Sequence, residues 1–273
     1  MQLYIERPLL ISGRKFDIRA FALVTQTNRA IKGYFYRDCY FRTSSRPFDL
    51  HNFDKFIHLT NDAVQVNSDD YGKYENANKM SIHDFQRFLD EKHEDKQVNF
   101  MRDLFPRMER LVTDTIRATY DLLDPKRKQN SFEIFGYDFM IDEFFKVYLI
   151  EVNTNPNIEV CCPLLSRIMP ELLENTFRIA VDPLYQPLQL QAGLQDANKM
   201  RKKLEFVSPL KFTLVFDERT DGEANAKQSN AELLKEIAEE EQILRTQQED
   251  VPEVKKATRV VVKKHKHAQK SVS

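Results

Sequence analysis

The stretch Phe132–Pro156, FEIFGYDFMIDEFFKVYLIEVNTNP, decides how this chain is read. Two apolar runs, 132–141 and 146–153, predict an antiparallel strand pair. If Phe144-Phe145 is a two-residue loop, Glu143 faces Lys146 and every further pair keeps the same index sum. Asp138 then lies directly opposite Glu151. Asn153 shares the face of Glu151, because side chains alternate along a strand. Two like charges directly across a ladder repel each other. They belong to strands that Phe135, Phe139, Tyr148, Leu149, Ile150 and Val152 make strongly apolar, where an unneutralised carboxylate pair is costly. A divalent cation between them removes both difficulties. Two carboxylates and an amide oxygen form an all-oxygen ligand set that suits Mg²⁺ held jointly with substrate phosphates. The competing reading is a wet face on which the two carboxylates repel harmlessly.

Working outward, KFDIRAFALVT (15–25) alternates polar and apolar residues at its start and reads as a strand. AIKGYFYR (30–37) reads as its returning partner after a short polar stretch, Gln26 to Asn28. LYIERPLLI (3–11) reads as a strand interrupted by Pro8, an edge or a hinge. Residues 42–80 are irregular and rich in Ser, Asn, Asp and Tyr, which predicts a long ordered loop of functional use. Helices are expected at Ser81–Leu89, Asn99–Leu123 and 164–181 from their apolar stripes, the last ended by Pro183. A last strand is expected at 210–216. Ser229–Gln247 reads as a helix, with Ser229 and Glu232 at capping-box spacing.

Lys15, Asp17 and Arg19 project to one face of their strand, and Phe16, Ile18 and Ala20 to the other. Such a basic face could hold phosphate oxygens and a ribose hydroxyl or a metal. A half-exposed strand of mixed charge is equally commonplace. Arg42, in FRTSS, is a single basic residue in a polar loop. His58, in HLTN, is by itself as readily structural as catalytic.

Composition bounds the class. With 273 residues the chain can form one large domain or two small ones. No apolar run approaches the ~20 residues of a membrane-spanning helix, and the N-terminus lacks a secretory pattern. Cys39, Cys161 and Cys162 form neither a disulfide framework nor a zinc set; reduced thiols in the cytoplasm are the simplest reading. Charge is balanced over residues 1–216. Residues 217–250 carry 11 acidic and 4 basic side chains, and 251–273 carry 7 basic and 1 acidic. This predicts a folded part, 1–187, a charged extension, 188–250, and a disordered basic tail, 251–273. A nucleic-acid binder is disfavoured, since the folded part shows neither net basicity nor a recognised motif.

Seven segments, in order, resemble the tubulin–tyrosine ligase family of the ATP-grasp superfamily: QLYIERPLLI, GRKFDIRAFALV, FRTSSRPF, HLTNDAVQ, DDYGKYENANKM, FEIFGYDFMID and VYLIEVNTNPN. FRTSS, HLTN and YGKYENANKM look closer to the tyrosine-adding member than to glutamate- or glycine-adding ones. The resemblance implies an α+β fold, the C-terminal subdomain of an ATP-grasp domain, with a mainly antiparallel sheet and packed helices. It also implies roles. Gln2, Leu3, Tyr4 and Ile5 match a hinge that contacts adenine. Lys15 and Asp17 match nucleotide-contacting positions. Arg19 and Arg42 match positions that stabilise the transferred γ-phosphoryl group. His58, Leu59, Thr60 and Asn61 match a loop beside the nucleotide. Asp138, Glu151 and Asn153 match the magnesium ligands.

The implied cofactors are ATP and Mg²⁺. The implied partners are a free amino acid and tubulin, through its acidic C-terminal tail, and the implied location is the cytoskeleton or cilium. The implied chemistry is amide formation through an acyl phosphate. The resemblance starts at the adenine hinge, and the chain has 6 glycines with no Gly-rich loop before it. The expectation is therefore a C-terminal part, without the half that supplies a phosphate lysine and a glycine loop, and weakly active alone. The alternative is a non-catalytic protein of the same fold that binds tubulin or microtubules.

Overall fold

The computed structural model describes residues 3–126, 130–185 and 210–227. Gln2, the expected helix at 229–247 and the expected tail at 251–273 lie outside the described residues, as does most of the expected extension, 188–250. The described residues up to Gly222 form one compact unit. Its frame is a seven-stranded sheet with the path β4-β3-β2-β5-β6; β1 pairs with β2, and β7 with β3. In chain order the strands are β1 Leu10–Ile11, β2 Arg14–Thr27, β3 Ala30–Pro47, β4 Lys79–Ser81, β5 Ser131–Ile141, β6 Val147–Thr154 and β7 Phe212–Asp217. The helices are α1 Lys55–His58, α2 Asp62–Gln65, α3 Ile82–Lys92, α4 Phe105–Leu123, α5 Pro163–Ala180 and α6 Glu218–Lys227.

Period-two alternation on β2 separates two environments. Phe16, Ile18, Ala20 and Ala22 face a core completed by Phe85 and Leu89 of α3 and by Phe105, Met108, Val112 and Ile116 of α4. Phe21 and Leu23, on the other face, join Tyr36 and Tyr40 of β3 under Leu165, Ile168 and Leu172 of α5. Lys15, Asp17 and Arg19 precede Phe21 on that same face. Beyond the part of it packed against α5, the face is therefore charged. The strand is buried on both sides, not half-exposed as a mixed-charge strand would suggest.

Several expected elements have different bounds. The strand expected at 3–11 is only Leu10–Ile11, with an isolated bridge from Pro8 to Asp142; Pro8 has no N–H to continue a ladder. The tract expected to be irregular from residue 42 begins as strand, since β3 runs on to Pro47. The tract then holds α1, α2 and β4. The β2–β3 turn is tighter than expected: Asn28 and Arg29 both take positive φ, as a two-residue hairpin turn requires. The expected helix at 99–123 opens with a π-helical turn, Phe100–Leu104, before α4.

The β5–β6 hairpin reaches the expected pairing by another route. Its loop has three residues, Glu143–Phe145, closed by Asp142 N–H donating to Lys146 O at 3.0 Å. Phe145 takes φ 62°, the left-handed position of such loops. Phe144 and Lys146 N–H groups both donate to Asp142 Oδ1 at 2.9 Å. Ile141 therefore pairs with Val147, and Phe139 with Leu149. That register would set Asp138 against Ile150. A bulge between Leu149 and Glu151 shifts it by one, and Asp138 stands opposite Glu151.

Candidate functional site

The charged face carries a row of side chains supplied by neighbouring strands. Arg19 of β2 pairs in register with Asp138 of β5, and Asp17 of β2 with Arg42 of β3. Arg19 donates to Asp138 through Nε at 2.5 Å and Nη2 at 3.1 Å. Arg42 grips Asp17 with Nε and Nη2, both at 2.6 Å. Nη2 of Arg42 also donates to Asp138 Oδ2 at 2.8 Å. All four side chains are buried. Burial pushes the Asp138 carboxyl upward, but the charges of Arg42 and Arg19 outweigh it and hold the group below its ordinary value. Burial alone would loosen the proton on Arg42; Asp17 and Asp138 reverse that and hold it charged.

The loop after β3 closes over one end of the row. Thr60 donates to Asp17 Oδ2 at 2.5 Å. Lys15 donates to the His58 carbonyl at 2.9 Å and to the Tyr4 hydroxyl at 3.2 Å. Its ammonium lies 4.8 Å from the centre of the Tyr4 ring. Tyr4 Oη and His58 Nδ1 are 2.7 Å apart. Burial lowers the Lys15 pKa against the opposing charge of Asp17. Leu3 and Leu59 are exposed beside these groups, and Ile5 is half-buried. Asn61 caps α2 by position without a side-chain hydrogen bond. The described residues of the expected nucleotide set thus meet through Lys15, Asp17, Tyr4, His58 and Thr60.

At the other end stand the expected metal ligands. Asn153 Nδ2 lies 2.9 Å from Glu151 Oε1 and 3.5 Å from Asp138 Oδ2. Asp138 is buried and Glu151 exposed. Oxygen and nitrogen of an asparagine amide exchange by a flip of the group, so three oxygens can converge here. The donor set fits a hard divalent cation. Two guanidinium groups balance two carboxylates along the row. A divalent cation would match the carboxylates and a phosphate would match the guanidiniums.

Several contributors were not legible as site residues. Gly136, opposite Asn153, leaves space for Arg19: a Cβ there would lie 3.1 Å from Arg19 Nη1 and 2.8 Å from Pro156 Cβ. Glu75 fastens the loop by accepting from Arg14 at 2.5 and 2.9 Å and from Thr43 at 2.8 Å. Buried Gln65 accepts from the N–H and hydroxyl of Ser45 at 2.8 and 2.6 Å. Gly136 sits inside the quoted FEIFGYDFMID segment, which was the one available signal. A cavity of about 680 Å³, lined by Asp38, His83, Asp84 and Arg167 among others, shares no residue with the row. No helix among the described residues is long and apolar enough to cross a membrane.

Comparison with known proteins gives one consistent result. The sequence model of the Tubulin-tyrosine ligase family matches residues 1–188. Tubulin glycylase 3A of Drosophila melanogaster is 34% identical over 190 residues, 68% of this chain and 19% of that protein. Tubulin glycylase 3C of Tetrahymena thermophila is 31% identical over 207 residues, 75% of this chain and 18% of that protein. Protein monoglycylase TTLL8 of Homo sapiens is 33% identical over 186 residues, 67% of this chain and 21% of that protein. The chain spans about a fifth of the length of these curated relatives.

Proposed function

The chain belongs to the tubulin–tyrosine ligase family, and from that premise we propose that it carries the floor of an ATP- and magnesium-dependent amino-acid ligase site. The observation that supports this most is the row Asp17–Arg42–Asp138–Arg19, four buried charges joined by hydrogen bonds. Buried charges are expensive. A row of them needs neutral balance, and a phosphate with its cation can enter such a row without upsetting that balance.

Each residue has a task in this reading. Asp138, Glu151 and Asn153 hold Mg²⁺. Arg19 and Arg42 hold the transferred phosphoryl group, and their rigid forks suit its oxygens. Lys15, Asp17 and Thr60 hold the nucleotide, with Leu3, Tyr4 and Ile5 beside its base. Bound Mg²⁺ supplies charge neutralisation on the phosphate oxygens. The reaction is attack of a peptide carboxylate oxygen on the γ-phosphorus of ATP, with ADP leaving. An amine then displaces phosphate from the acyl phosphate, loses a proton and leaves an amide. No covalent enzyme nucleophile is needed; the side chains act as electrostatic clamps.

The acceptor in this reading is tubulin, the substrate named in the two tubulin glycylases above; the human relative is named as a protein monoglycylase. FRTSS, HLTN and YGKYENANKM resemble the tyrosine-adding member, whereas the relatives named above are glycylases. Glycine is therefore the first amine to test, and tyrosine the second. The test incubates the chain with tubulin, Mg²⁺, ATP and glycine and reads the mass of tubulin's C-terminal peptides. Glycine addition that needs all components supports the ligase. Nucleotide binding that ignores Mg²⁺ and is unmoved by Asp138→Ala and Glu151→Ala would overturn it in favour of a tubulin-binding protein of the same fold.

A further inference from the structure

Cys161 and Cys162 are consecutive, and the fold gives them unlike surroundings. Cys161 is exposed, while Cys162 is buried at 6% exposure. Cys162 holds the N-cap position of α5 without a side-chain capping bond, and its carbonyl accepts from the Ser166 N–H at 2.9 Å and the Ser166 hydroxyl at 3.1 Å. Its side chain belongs to the core under α5, with Tyr40 and Leu165. Burial pushes the Cys161 thiol up; Lys79 opposes this, while Asp62 and a hydrogen bond with Cys162 add to the rise. Cys161 therefore stays a thiol at neutral pH, in contact with its neighbour's thiol. Cys39 has no exposure and belongs to the core on the other face of the sheet, so it cannot join the pair. Nothing in the reading of the charged row uses these two thiols.

We infer that Cys161 and Cys162 form a dithiol site for a thiophilic ligand with two exchangeable positions, of the class of a monosubstituted trivalent arsenical. Peroxides and disulfides react with the thiolate, so a thiol held protonated is a slow partner for them. Condensation with an As–OH group needs no thiolate, because the thiol proton leaves with the hydroxide as water. Exposed Cys161 forms the first As–S bond and releases one water; Cys162 forms the second and releases another. Two As–S bonds replace two As–O bonds, arsenic stays trivalent and no electron is transferred. The second step is intramolecular, which raises its effective concentration. A ligand with three exchangeable positions would leave one unfilled, since Cys39 is out of reach. Ring closure ties the N-cap residue of α5 to its neighbour. Tyr40, in the same core as Cys162, stands opposite Arg19 across β2 and β3. Closure should therefore be felt at the charged row as weaker Mg²⁺-dependent nucleotide binding. That consequence, unlike the site itself, rests on the ligase reading.

The test treats the folded full chain at neutral pH with phenylarsine oxide, which hydrates to the arsonous acid, and reads the intact mass. One phenylarsine group per chain should be retained against an excess of 2-mercaptoethanol and released by 2,3-dimercaptopropanol. Cys161→Ser and Cys162→Ser should each lose the retained group, and Cys39→Ser should keep it. Cys161 is exposed, so its variant tests the site without disturbing a core. Titration with a fluorescent ATP analogue should show the Mg²⁺-dependent affinity of the treated chain reduced about threefold or more, with treated Cys161→Ser unchanged. A group that the monothiol strips, or that Cys161→Ser retains, overturns the site. Nucleotide affinity that ignores a retained group overturns the link to the row. If the untreated chain binds no nucleotide, the ligase reading fails and takes the link with it, while a retained group still supports the site.

Discussion

Arg42 Nη2 lies 2.8 Å from Asp138 Oδ2, although β3 and β5 are not neighbours and β2 runs between them. The two side chains meet above β2, where Arg42 also holds Asp17 and Asp138 also holds Arg19. Each carboxylate of the row therefore has an arginine on a neighbouring strand. The row behaves as one unit, and removing any member leaves a buried opposite charge behind.

Asp138→Ala should be the most disruptive single change in the row. It strands the buried guanidinium of Arg19 and takes one of two carboxylate partners from Arg42, which keeps Asp17; breaking a buried pair in this way costs about 3–5 kcal/mol of stability. Titration with a fluorescent ATP analogue, with and without Mg²⁺, should show that the metal-dependent part of binding is lost. Glu151→Ala should lose the same part with little change in stability, because Glu151 is exposed. Metal-dependent binding that survives both changes would remove these residues from the ligand set.

Acid should weaken the fold through Asp138. Its folded-state pKa is depressed, against an unfolded value of about 3.9. A depressed carboxylate contributes stability that is complete above the unfolded value and is lost as pH falls through the folded one. Arg19, Arg42, Glu151 and Asn153 face this group. Urea midpoints of the chain and of Asp138→Asn should differ at neutral pH and converge below about pH 4. A gap that stays constant down to pH 2.5 would contradict the linkage.

Gly136→Ala should be felt at the site, not only in the strand. The added methyl meets Pro156 and the guanidinium of Arg19. Overpacking of this kind costs about 1–3 kcal/mol. Displacing Arg19 should also weaken nucleotide binding, which titration of the folded variant measures. Unchanged affinity would mean that Arg19 has room to move aside.

Phe41→Ala separates the fold from the site. Phe41 stacks on Phe85 with ring centroids 4.1 Å apart, on the face opposite the charged row. The expected loss is about 3–5 kcal/mol, measured by denaturation. Nucleotide affinity below the unfolding transition should stay near that of the unaltered chain.

Much of this was legible beforehand where a short-range rule governs it. Alternation placed Lys15, Asp17 and Arg19 on one face of β2 and Phe16, Ile18 and Ala20 on the other. Helical spacing found α3, α4 and α5 to within a few residues. The opposition of Asp138 and Glu151 was read from a two-residue loop that does not exist. The actual three-residue loop and the bulge before Glu151 cancel, so the pair was right through two compensating departures. Neither is visible in residue types, since Phe145 is an unusual occupant of a left-handed position and a bulge leaves no fixed sequence mark.

The sequence by itself determined the strands β2, β5 and β6, the helices α3, α4 and α5, the charged face of β2 and the family, because periodicity and ordered motifs are local properties of the chain. Tertiary structure decided which charges meet. Arg42 and Asp138 are 96 residues apart, and Lys79 reaches Asp62 from another strand and loop. Such contacts depend on strand order, on bulges that shift register by one residue, and on a glycine that leaves space for a guanidinium. The packing of the whole sheet sets those quantities together, and no single segment encodes them.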